Sequence, residues 1–166
     1  MRAPTGTQFS LSFGSSSATI TEVAAGLRGL VLGGVEVVHE YPEESLPPMG
    51  QGIVLVPWPN RIAAGAWTLD GTKQQLDITE PSTGNATHGL LRNTAYRVAE
   101  QGDSFLTLQA VVYPQHGYPF LLDTSVSYEL NEAGLTVTHA ITNESDAPAP
   151  VAVGAHPYFV IDSVPT

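Results

Sequence analysis

Leu122-Asp123-Thr124-Ser125-Val126-Ser127-Tyr128-Glu129-Leu130, then Asn131-Glu132-Ala133-Gly134, then Leu135-Thr136-Val137-Thr138-His139-Ala140-Ile141 is the stretch whose reading decides the fold. Apolar side chains recur at every second position on both sides of a Gly-ended turn, a period that suits a half-buried strand and not a helix. The same text runs outward in both directions. Ser104 to Val112 reads as a further strand, and Gln8-Phe9-Ser10-Leu11-Ser12-Phe13, turned by Gly14-Ser15-Ser16-Ser17 into Ala18-Thr19-Ile20-Thr21-Glu22-Val23, as an opening hairpin. Asp70-Gly71 after Trp67-Thr68-Leu69 is the strongest short hairpin signal, with a return strand near Gln75-Leu76-Asp77-Ile78. Gly52 to Val56 and Val151 to Ala155 read as apolar strands, the second running into His156, and Glu40 to Gly50 as a long surface loop. Many short strands, few helical stripes, no internal repeat and no interdomain linker predict an all-β antiparallel sandwich in a single domain over 1–166.

Composition narrows the function. Six Lys+Arg against 16 Asp+Glu give a net charge of −10. All the basic residues lie at or before Arg97, so a grip on nucleic acid or an anionic membrane is not expected. No cysteine is present, which removes disulfides, thiolate metal sites and cysteine nucleophiles. Met1 to Gln8 holds no apolar core of a signal peptide, so a cytoplasmic location is expected.

Three stretches differ from ordinary strand-and-turn text. Pro57-Trp58-Pro59-Asn60-Arg61-Ile62 stiffens the backbone and projects an Asn-Arg pair whose guanidinium suits several oxygens of one ligand; an arginine capping carbonyls around a proline corner is the structural alternative. Asn85-Ala86-Thr87-His88-Gly89 reads as a polar loop around a histidine able to hold a ligand oxygen or move a proton, or a plain surface residue. Gly154-Ala155-His156-Pro157-Tyr158-Phe159 sets a histidine where a buried strand meets the rim, in a place that tunes a general acid or holds a core histidine on a backbone carbonyl. His139 reads as a packed or edge histidine, His39 carries no recognisable spacing, and His116 lies in an aromatic loop able to line a sugar site. No His-x-His, His-x-x-x-His or Gly-x-Ser-x-Gly occurs, so neither a metal site nor a nucleophile elbow is supported.

Taken in order, and with Leu69-Asp70-Gly71 in the Gly65 to Gly71 hairpin, Tyr113-Pro114, Gly117-Tyr118-Pro119 and Asn143, these stretches resemble the aldose 1-epimerase (galactose mutarotase) family from Phe9 to Ile161. The resemblance implies an antiparallel β-supersandwich and interconversion of the α- and β-anomers of a free aldohexose, with no cofactor. It gives substrate-binding roles to Arg61 and His88, with Asn60 and Tyr158 beside them. His156 matches the histidine that donates a proton to the ring oxygen, and His156 and His88 are the catalytic candidates. Family members are longer and carry the general-base carboxylate and a sugar-binding aspartate in a C-terminal part. The resemblance therefore implies a truncated domain that is inactive alone. None of Asp123, Glu129, Glu132, Glu144, Asp146 or Asp162 sits in a matching motif, and Leu90 stands where many mutarotases have a second glycine.

Two further classes compete with this reading. One is a non-catalytic carbohydrate-binding sandwich that keeps Arg61, His88 and His156 as contacts. The other is a structural fragment whose exposed strand edges pair with another copy into a homo-oligomer. Within the enzyme class a hexose-6-phosphate 1-epimerase is disfavoured, because phosphate calls for more basic residues.

Overall fold

The structure, a computed structural model, describes residues 2–161; Met1, Asp162 and the end of the expected 1–166 domain lie outside the described residues. In chain order the strands are β1 (Gln8–Phe13), β2 (Ser16–Thr21), β3 (Leu27–Leu32), β4 (Val35–Val38), β5 (Val54–Leu55), β6 (Arg61–Ile62) and β7 (Ala66–Leu69). There follow β8 (Thr72–Gln75), β9 (Ala86–Thr87), β10 (Arg97–Gln101), β11 (Phe105–Val112), β12 (Leu122–Asn131), β13 (Gly134–Asn143) and β14 (Gly154–Ala155). Two four-stranded antiparallel meanders result, β1-β2-β3-β4 and β10-β11-β12-β13. The molecule is all-β, as expected.

The alternation read from the sequence becomes the core. Leu106, Leu108 and Val112 of β11 face the same way as Leu122, Val126, Tyr128 and Leu130 of β12 and are buried in register, Leu108 opposite Val126 and Leu106 opposite Tyr128. They share one apolar cluster with Leu11, Ile20, Leu30 and Val38 of the other meander. Each such aliphatic side chain contributes about 1.5–3 kcal/mol when fully buried. Tyr128 donates its hydroxyl to the Ala25 carbonyl at 2.5 Å, and Thr124 donates to Ala110 at 2.8 Å, so the buried hydroxyls of β12 are satisfied.

Some expectations shift at the ends of elements. The first turn is only Gly14-Ser15, because Ser16 and Ser17 pair with Phe13 and Ser12 in β2. Asp70 and Gly71 both take positive φ (47° and 78°), the two-residue hairpin geometry, and the return strand is Thr72–Gln75 instead of Gln75 to Ile78. Glu40 to Gly50 is a loop, but its Tyr41 is buried and its carbonyl accepts from Arg28 at 3.0 Å. The apolar run Val151 to Ala155 is not a buried strand. Only Gly154–Ala155 pairs, with β5, while Val151 and Val153 are exposed; the flanking Pro150 carries no N–H to extend a ladder. Among the described residues no helix is long and apolar enough to cross a membrane.

Candidate active site

Short pairings bring the three singled-out stretches together. β5 lies between two of them: Leu55 pairs with Gly154 and Val54 with Ala155, and the next residue, Val56, bridges to Gly89 in parallel. Two residues of the supposed Asn85–Gly89 loop, Ala86 and Thr87, are instead a buried strand, β9, paired with β6 so that Arg61 lies opposite Thr87. Thr87 is pinned from its other side by Thr79, whose hydroxyl accepts from the Thr87 N–H at 2.8 Å. The Asn60 carbonyl accepts from the His88 N–H at 2.9 Å, and the His156 carbonyl from the Gly52 N–H at 2.7 Å. Asn60 and His88 both sit in the left-handed region (φ 58° and 61°), a conformation that costs a non-glycine residue about 1–2 kcal/mol and recurs at functional positions.

The side chains meet where these pairings end. The His88 and His156 rings lie edge to face with centroids 5.3 Å apart, and Tyr158 lies 5.5 Å from His156. Nδ1 of each histidine is enclosed and has no hydrogen-bond partner among the described residues. Nothing in the described chain therefore pins the tautomer of either ring, a freedom that suits proton transfer. Burial pushes the His88 imidazole below its ordinary value, with His156, Arg92 and Arg61 adding in the same direction and Glu80 opposing, so His88 is neutral near pH 7.

Among the described residues Arg61 caps no backbone carbonyl. Its Nε and Nη2 donate to the two carboxylate oxygens of Glu80 at 2.5 and 2.8 Å, and its Nη1 donates to the Asn60 side-chain oxygen at 3.3 Å. The guanidinium holds the Glu80 carboxyl down at about 2, helped by the Thr83 hydroxyl that also donates to it. Glu80 is the site residue that sequence reading missed. Its signal was faint, an acid eight residues before His88 at the start of the turn Pro81-Ser82-Thr83-Gly84, and its partner became evident only with the β6–β9 pairing.

All five site candidates, Asn60, Arg61, His88, His156 and Tyr158, thus come into one neighbourhood. The other histidines stand apart. His139 is half-buried on β13, His39 is exposed, and His116 is an exposed loop residue whose Nδ1 lies 3.0 Å from Asp77. His116 lies on a cleft of about 240 Å³ whose lining includes Trp58, Thr79, Gly89, Arg92 and Asn93, so the loop that carries His88 forms one of its walls. Among the described residues no group of three or more His, Cys, Asp or Glu stands as a metal-ligand cluster.

Sandwich and motif order place the protein in a class. The chain belongs to the aldose 1-epimerase family, whose family model, described as Aldose 1-epimerase, matches residues 7–165. Among individual proteins, it is 41% identical over 155 residues to the uncharacterized protein YihR of Escherichia coli (strain K12), covering 93% of this chain and 50% of that one. Its fold is also that of solved structures, of which two serve as examples. The GalM/aldose epimerase homologue from C. elegans superposes with a TM-score of 0.79 at 19% identity, over 94% of this chain and 51% of that one. A galactose mutarotase-like protein from Clostridium acetobutylicum gives 0.77 at 23%, over 90% and 49%. The chain spans about half the length of the curated relatives it matches.

Proposed function

We propose that the protein is an aldose 1-epimerase acting on a free aldohexose such as galactose or glucose, with residues 1–166 forming one mutarotase-like unit. The observation that carries this is the meeting of His88 and His156 beside the Arg61 fork. Ring opening needs a proton delivered to the ring oxygen as the C1–O5 bond breaks, and a base that takes the proton from the anomeric hydroxyl. His156 supplies the acid. After rotation about C1–C2 the ring closes and both transfers reverse, so no electrons or groups are exchanged and the chemistry calls for no cofactor. A neutral His88 both donates and accepts, which matches a sugar hydroxyl, and it serves as a secondary proton carrier. Asn60 and Tyr158 complete the polar and aromatic surround. A neutral small-molecule sugar, and neither nucleic acid nor membrane, fits the acidic chain, and the cytoplasm is the proposed location.

Glu80, locked by Arg61, is a poor base, and the family's base carboxylate belongs to the part of the relatives that this chain does not cover. Residues 1–166 alone are therefore expected to be inactive in mutarotation. The test is the decay of optical rotation of fresh α-galactose and α-glucose, with the chain alone and joined to the remaining half of a relative. Joined, it should accelerate the decay, and His156→Ala should lower that rate by roughly 10²–10⁴-fold. No acceleration over buffer in the joined form would sink the proposal. The engagement of Glu80 also favours a second reading, a non-catalytic carbohydrate-binding module. It predicts calorimetric sugar binding that Arg61→Ala abolishes, with no mutarotation in any form.

A further inference from the structure

A guanidinium carries five N–H donors in a fixed plane. In Arg61, Nε and one hydrogen of Nη2 go to Glu80, and one hydrogen of Nη1 goes to Asn60. What remains is one hydrogen on each terminal nitrogen, and with its other hydrogen on Glu80 the free one on Nη2 faces the end of the fork. The carboxylate that enforces this is itself anchored. The Glu80 N–H donates to the Asn85 carbonyl at 3.0 Å and its carbonyl accepts from the Gly84 N–H at 3.0 Å, which closes the turn 80–85. The Asn85 amide donates to the Thr83 hydroxyl at 3.0 Å, and that hydroxyl donates to Glu80. The Asn85 side-chain oxygen accepts from the Ala64 N–H at 3.2 Å, so the turn is tied to the segment that follows β6. Glu80 is thus held by the same turn that delivers Ala86, Thr87 and His88 to β6.

We infer that Glu80 is a positioning residue: it saturates the Nε side of the Arg61 fork and leaves one hydrogen on each terminal nitrogen for ligand, which suits two adjacent oxygens such as the vicinal hydroxyls of a pyranose. The inference rests on the sugar reading above. Glu80 acts through Arg61 and touches no substrate. An arginine without this partner would rotate about its long side chain and meet single oxygens in several orientations, losing the bidentate match that gives arginine its selectivity.

The test uses the whole chain, D-galactose and D-glucose titrations by calorimetry, and the NMR exchange rate of the Arg61 Nε–H. In Glu80→Gln, affinity should fall about tenfold or more, and Nε–H exchange with solvent should quicken markedly. Glu80→Asp, which keeps the charge but lies one methylene short, should fall between. Arg61→Ala and Arg61→Ala/Glu80→Gln should bind equally weakly, because Glu80 has no role without the arginine. A thermal midpoint for each variant separates lost positioning from lost folding. Unchanged exchange in Glu80→Gln, or a double variant weaker than Arg61→Ala, would overturn the inference. If neither the wild-type chain nor the chain joined to the remaining half of a relative binds either sugar, the sugar reading fails, and Nε–H exchange still decides whether Glu80 holds Arg61.

Discussion

His88 is held neutral chiefly by burial, and the cations around it, Arg61 and Arg92, oppose its protonation. Unfolded, the ring takes its proton at about pH 6.5; folded, it does so only at lower pH. The unfolded state thus binds more protons between those two values. The stability that a neutral His88 contributes is complete above about pH 6.5 and is lost as the pH falls through that window. Half-buried His139 is lowered by burial too and acts in the same direction, so the two must be resolved ring by ring. In NMR titrations both Cε1–H midpoints should fall below 6.5, and a His88 midpoint at or above that value would contradict the account of its surroundings. Sugar affinity should follow His88, flat above about pH 6.5 and falling below it. The Arg61–Glu80 pair persists far lower, since the Glu80 carboxyl is held at about 2. A loss of affinity that sets in below about pH 6.5 accordingly reports the imidazole side of the site and not the ion pair. Why Glu80 escaped sequence reading is also a matter of this scale: a carboxylate gains its role from a guanidinium 19 positions away, and no local pattern encodes that distance.

Elements were legible where their signal is local. Asp70-Gly71 fixes β7 and β8 by its own backbone preferences, and β11, β12 and β13 announce themselves by alternation over eight to ten residues. The two-residue strands that build the site have no room for a pattern. β6 meets β9, and β5 meets β14, across long separations in sequence, and Ala86-Thr87 is indistinguishable from loop text until Arg61-Ile62 lies alongside it. Gly89 shows what such junctions require. Its φ is +73°, and a Cβ there would lie 1.9 Å from the Val56 carbonyl oxygen. Gly84 has nearly the same angle, φ +70°, with open space around it. Gly84→Ala should therefore cost only the left-handed penalty, about 1–2 kcal/mol. Gly89→Ala adds a backbone clash of about 1–3 kcal/mol and should total roughly 2–5 kcal/mol. Urea midpoints of the two variants check this. Equal losses would mean that Gly89 serves its backbone angle alone and that the close approach of Val56 is immaterial.

At the scale of the whole molecule, the two meanders end in unequal edges. β10 carries Arg97 and Glu100 and has a bulge between Val98 and Glu100, devices that blunt strand addition. β13, at the opposite edge of the same sheet, has ten residues in unbroken register with β12 and no charged residue or proline among them. On its inner face Leu135, Val137 and His139 line an apolar groove of about 210 Å³ together with Leu27, Pro157 and Phe159. Such an edge, long, neutral and rich in Thr, Val and Ile, is a template for another strand. A second copy offers one that matches, because two β13 strands paired antiparallel about a two-fold axis bring no charge of β13 against its like. The net charge of −10 opposes close approach, so added salt should strengthen association by screening it. Sedimentation equilibrium should accordingly show concentration-dependent self-association that grows from low to moderate ionic strength. Val137, 37% exposed and opposite Tyr128, is the position at which to block it. Val137→Lys puts an inward-pointing charge on the edge and should return the chain to monomer, with a urea midpoint close to wild type showing that the sandwich survives. A wild-type chain that stays monomeric at every concentration and salt would rule out pairing through β13.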